Sequence, residues 1–203
     1  MFDSQAAALG GTRSRLADRT GGVAGNARLT GAVAVALLVL LAAEGATIPF
    51  IGQLLGPHLF IGLMLIPPVA LKLGSVGWRF VRYYTHDEPY VRKGPPPIVL
   101  RVLAPGVVLT TIALFGTGVA LLFAGPPSNT LIFAHKLSFF AWVALMSLHV
   151  LGHLLELPGL ASADWRRGQR LGGAATRTGA LLAAIGVGVA LGFVALAVGS
   201  AWL

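Results

Sequence analysis

Five histidines carry most of the chemistry open to this sequence: His58, His86, His135, His149 and His153. The chain has no cysteine. Disulfides, thiolate metal sites, iron–sulfur clusters and covalent haem attachment through C-x-x-C-H are therefore excluded. Any metal has to be held by His, carboxylate or Met. His135 and His149 are 14 positions apart. On a helix, 14 steps fall about 40° short of four full turns, so the two rings share a face ~21 Å apart along the axis. His153 is five full turns from His135 and lies on the same face. It also forms an i, i+4 pair with His149, and Glu156 follows three residues later.

These rings need helices long enough to hold them, and the composition says where those helices lie. Of 203 residues, 56% are hydrophobic and 11% charged, with mean hydropathy +0.80. A soluble domain carries about 25% charged residues. This chain cannot cover a water-facing surface and is expected to sit in lipid. Five long apolar stretches stand out, over residues 29–48, 54–80, 99–124, 130–157 and 176–202. They are continuous rather than short and alternating, which argues against a barrel. In lipid, where the backbone finds no outside partner, that leaves helices. A bilayer core of ~30 Å takes about 20 helical residues. The first stretch is the weakest, since Glu44 interrupts it and Pro49 follows. Pro67-Pro68 should kink the second and free carbonyls within it.

The expected fold class is an all-α integral membrane protein, a bundle of five transmembrane helices. Lys and Arg set its orientation. Of the 15, 14 fall before the first stretch (residues 13–28), around the junction of the second and third (72–101), or around that of the fourth and fifth (166–177). The fifteenth is Lys136. Positive residues stay on the cytoplasmic side, which places the N-terminus inside and Leu203 outside. The same bias accounts for the net charge of +8, so no nucleic-acid partner is expected. Residues 1–28 have no period and read as a flexible cytoplasmic tail before a membrane domain of residues 29–203. The apolar run starts too late for a cleaved secretory signal, so an uncleaved anchor is expected. Residues 83–97 read as a cytoplasmic loop stiffened at Pro95-Pro96-Pro97, with His86 a solvated loop residue.

With this topology, the second and fourth stretches both run from outside to inside. His58 and His135 each sit a few residues in from the outer end, so their depths match. Two imidazoles from different helices at one depth suit the two faces of a haem iron. The His135-x13-His149 spacing resembles that of di-haem cytochromes of the cytochrome b type, in which one helix gives a ligand to each of two stacked haems. The wider pattern resembles small bacterial membrane cytochromes. These include ferric-reductase-like transmembrane proteins and the cytochrome b subunits that serve molybdenum-cofactor oxidoreductases. The resemblance covers the second to fourth stretches. It implies His135 and His149 as axial ligands of haem iron, with His58 opposite His135. It departs from the family at the position 14 after His58, which is Lys72. One haem b is therefore expected at the outer pair, and a second would lack an evident second ligand.

Other readings stand beside this one. His149, His153 and Glu156 could bind a divalent metal or relay protons, and the three aligned histidines could simply bridge helices. Lys136 is read as a partner for an outer haem propionate or as a snorkelling lysine. Lys72, Arg79 and Arg82 could hold inner propionates or anionic lipid. Gly116-Thr117-Gly118 and Gly188-x-x-x-Gly192 would allow close approach of a helix or a flat cofactor. Trp142 and Phe139-Phe140 are read as packing or lipid contacts. No hydrolase or nucleotide-binding motif occurs. The expected function is electron transfer between a quinol pool and a partner redox subunit in a bacterial cytoplasmic (inner) membrane. The alternative is a transporter or accessory protein with a His-lined metal or proton site.

Overall fold

The computed structural model describes residues 21–125, 128–153, 159, 171–201 and 203. Among them every regular element is helical: α1 (Gly22–Thr47), a 3₁₀ turn (Ile48–Phe50), α2 (Ile51–Met64), α3 (Ile66–Tyr84), α4 (Glu88–Lys93), α5 (Ile98–Ala124), α6 (Asn129–His153), α7 (Ala174–Val198) and a last 3₁₀ turn (Gly199–Ala201). Four stretches are long and apolar enough to cross a membrane: Gly22–Tyr84, Ile98–Ala124, Asn129–His153 and Ala174–Ala201. The chain is a multi-pass helical membrane protein. Large apolar side chains on its outside, among them Val39, Val102, Leu109, Phe123, Phe140 and Leu151, face outward to lipid.

Helix α1 begins at Gly22, seven residues before the expected Leu29, and passes through Glu44 without a break. The first 20 residues of the expected tail, Glu156 and the basic residues Arg166, Arg167 and Arg170 lie outside the described residues. So does the expected end of the fourth stretch, since residues 154–158 are not described and α6 is described to His153.

The 63 residues from Gly22 to Tyr84 would measure ~95 Å as one straight helix. Instead the chain doubles back at the Pro49 turn. Asn26 donates to the Ser75 carbonyl at 3.0 Å, Lys72 to the Thr30 carbonyl at 2.8 Å, and the Thr30 and Ser75 hydroxyls meet at 2.7 Å. At the other end the Thr47 hydroxyl meets His58 Nδ1 at 2.9 Å. Late residues of α1 thus meet α2, and early residues of α1 meet the middle of α3. The hairpin is antiparallel.

The break between α2 and α3 falls at Leu65, just ahead of Pro67 and Pro68. Pro68 has no N–H to offer the Met64 carbonyl, which would be its partner four residues back. That carbonyl lies against Gly188 of α7, so close that a Cβ there would come within 2.3 Å of it. One turn on, Gly192 packs against Phe60, and the Phe60 and Phe193 rings meet edge to face at 5.2 Å. The small residues let α7 press onto α2. Val33, Leu37 and Leu65 form the buried centre of this first group of helices, with Ile61, Val69, Phe115 and Leu181 around it.

Helices α5 and α6 pair along their whole length. Leu100 fills the space beside Gly152, Leu145 that beside Gly106, and the Trp142 indole donates to Thr111 Oγ1 at 2.9 Å. Trp142 is thus a packing residue. Helix α6 makes close contact along α5 alone; against α1, α2, α3 and α7 its packing is sparse. It stands off from the first group and leaves a gap facing α2 and α3.

In the segment joining α3 to α5, Asp87 starts α4 with Glu88 and Pro89 in the first turn and Arg92 and Lys93 in the last, which suits the helix dipole. Tyr90 is buried there and accepts from the Trp78 indole at 3.2 Å, Arg82 pairs with Asp87, and the Arg79 guanidinium donates to the Gly94 carbonyl. Arg79 and Arg82 are engaged with this segment.

Candidate haem site between the helix pairs

His135 projects from α6 across the gap toward His58 of α2. Their ring centres are 6.4 Å apart and their planes 86° apart. Each ring is held through Nδ1. Thr117 of α5 donates its hydroxyl hydrogen to the Ala113 and Leu114 carbonyls (2.7 and 3.0 Å), which leaves its oxygen to accept from His135 Nδ1–H at 3.0 Å. Gly118 beside it keeps the place open, since a Cβ there would touch His135 Cε1 at 3.2 Å. On the other side, His58 Nδ1 lies 3.0 Å from the Glu44 carboxylate and 2.9 Å from Thr47 Oγ1. Thr47 spends its own hydrogen on the Glu44 carbonyl at 2.6 Å. A carboxylate only accepts. With Nδ1–H directed at these oxygens, a neutral imidazole at either position has Nε2 left to bind a ligand.

That is the form in which an imidazole binds metal, with its second N–H directed to an oxygen acceptor. An imidazole nitrogen sits about 2.0–2.1 Å from a first-row metal ion, and adding roughly 1.1 Å to each ring centre puts two rings on opposite faces of one ion about 6.3 Å apart. The 6.4 Å between His58 and His135 fits that span. The pair lies between α6 and α2, where the two helices pack sparsely. The residues fit a haem iron.

Fourteen residues further along α6 comes His149, and fourteen beyond His58 comes Lys72 of α3, whose Nζ donates to the Thr30 carbonyl of α1. His149 Nδ1 is buried with no hydrogen-bond partner. The His153 ring centre lies 5.0 Å from that of His149. Among the described residues no three His, Asp or Glu side chains gather as a metal cluster; the third member expected for the inner metal site, Glu156, is not among them. Lys136 is exposed, one position round the helix from His135. His86 is exposed in a left-handed turn (φ 57°) just past the end of α3.

The spacing of histidines singles out His58, His135 and His149 but not Glu44, Thr47 and Thr117, which the structure sets against the His58 and His135 rings. Glu44 reads in the sequence as an interruption. A carboxylate inside an apolar helix is itself a signal of a functional partner, and here the partner is His58. The chain matches no family model, no curated protein and no solved structure.

Proposed function

We propose that the protein is a b-type membrane cytochrome that binds haem between His58 and His135 and carries electrons between a quinol pool and a partner redox subunit of a bacterial cytoplasmic membrane. The facing of the two imidazoles, 6.4 Å between ring centres with both Nδ1 positions occupied by oxygen partners, carries this reading. In it the chain crosses the membrane five times, with α1, the kinked α2–α3 unit, α5, α6 and α7 as the crossings. Haem b supplies the one-electron chemistry when bound. The chain's own residues do the rest. His58 and His135 hold the group on two helices. Glu44, Thr47 and Thr117 fix the ring orientations and make the imidazoles better donors. The apolar outer faces exclude water. Lys136 stands near enough in sequence to meet a propionate at the membrane surface.

The test is the visible spectrum of detergent-purified protein from cells supplied with haem. A low-spin b-type spectrum is expected in its reduced form, and either His58→Ala or His135→Ala should abolish it for this site. Colourless wild-type protein that is folded and monodisperse overturns the reading.

A further inference from the structure

The two sides of the gap run in register. Lys72 follows His58 by the same 14 residues by which His149 follows His135. On unbroken α6, fourteen residues return to nearly the same face ~21 Å further on; from His58 to Lys72 the chain crosses the break at Leu65, where the hydrogen bonds from Leu65 to Ile61 and from Val69 to Leu65 carry the helix on. A lysine thus occupies the place where a second bis-imidazole site would have its other histidine. Lys72 does not reach for the membrane surface as a snorkelling lysine does. It is half-buried, and its ammonium nitrogen donates to the Thr30 carbonyl of α1. On α6, His149 Nδ1 is buried with no partner, so here it is Nδ1 rather than Nε2 that would meet a ligand. A buried nitrogen with nothing to bond is costly unless a ligand meets it.

We propose that the inner end of the gap is a second haem site, with His149 and the Lys72 amine as its two axial ligands. The inference rests on the haem reading of the His58–His135 site. An amine in its neutral form has one lone pair, as an imidazole does, and so can complete six-coordinate iron. The lysine's four-carbon stem is flexible, so Nζ could exchange the Thr30 carbonyl for an iron. His153 cannot take that place. It lies one turn along the same helix, its ring 5.0 Å from that of His149, and one helix does not reach both faces of a macrocycle. It is left beside the site, in position to touch a propionate.

The experiment is haem counting by pyridine haemochrome against protein mass, with electron paramagnetic resonance of the oxidised protein to report the ligands. Wild type should hold two haems per chain, with two low-spin signals, one of them of mixed amine–imidazole type. Lys72→Ala should lose the second haem or turn it high-spin, while the outer haem stays and reports that the variant is folded. Lys72→His should keep both haems, both of bis-imidazole type. One haem per chain in wild type overturns the proposal and leaves the outer site standing, as does a Lys72→Ala protein with both low-spin signals unchanged. No haem at all overturns the outer-site reading on which it rests.

Discussion

His135 would be an ordinary intramembrane histidine without the hydroxyl that turns it. Thr117 sits one turn of α5 beyond Ala113, gives its hydrogen back to that turn and accepts from the ring. An oxygen acceptor on the outer nitrogen fixes ring rotation and tautomer together, and losing such a partner typically costs about 10–100-fold in metal affinity. Thr117→Val keeps the shape and removes the oxygen. Haem affinity of the apoprotein, titrated by absorbance, should fall by about that factor, and Thr117→Ser should recover most of it. Equal affinity in all three proteins would mean that the ring is held by packing alone. Sequence spacing made the three aligned histidines legible, because a helix of fixed pitch turns spacing into direction. It left the orienting groups illegible. Glu44 and His58 are 14 residues apart in sequence, and nothing in a helix pattern says that the chain reverses between them. Only the Pro49 turn brings the carboxylate to the ring.

At the scale of elements, the prolines of α3 and the glycines of α7 are one device. Pro68 leaves the Met64 carbonyl without its helical partner, and Gly188 gives that carbonyl a surface without a side chain to lie on. The weak Cα–H···O contacts common at such crossings help to satisfy it. Both motifs were visible as sequence, the kink from Pro67-Pro68 and the close approach from Gly188-x-x-x-Gly192. That they meet each other was not, since a small-residue motif names a close contact without naming its partner. Gly188→Ala would place a carbon 2.3 Å from a backbone oxygen, which no rotamer change relieves. Overpacking of this kind costs about 1–3 kcal/mol. Gly186→Ala, on the same helix with nothing within 4 Å, is the control. Unfolding in mixed micelles should show Gly188→Ala destabilised and Gly186→Ala close to wild type. Equal stability of the two would show that the α2–α7 crossing is looser than described.

For the whole molecule, orientation decides which site faces which compartment. Length and hydropathy alone mark four crossing stretches, with Gly22–Tyr84 as one of them. The hydrogen bonds between Asn26 and Ser75 and between Thr47 and His58 fold that stretch into two antiparallel halves. A four-span chain would have both ends on one side, whereas five spans put them on opposite sides. Charge favours the second arrangement. All the basic residues but Lys136 precede the first stretch or lie around residues 72–101 and 166–177, while the connections at residues 45–53 and 125–128 hold no Lys or Arg. Positive residues near membrane helices are held inside, and only an odd number of crossings puts all three basic segments there together. Reporter fusions in the N-terminal segment, at Gly94, after Gly168 and after Leu203 read this directly. The first three should report the cytoplasm and the last the outside. Finding the N-terminal segment and Leu203 on the same side would remove the five-span arrangement. It would also remove the shared direction of α2 and α6 that sets His58 level with His135 and Lys72 level with His149.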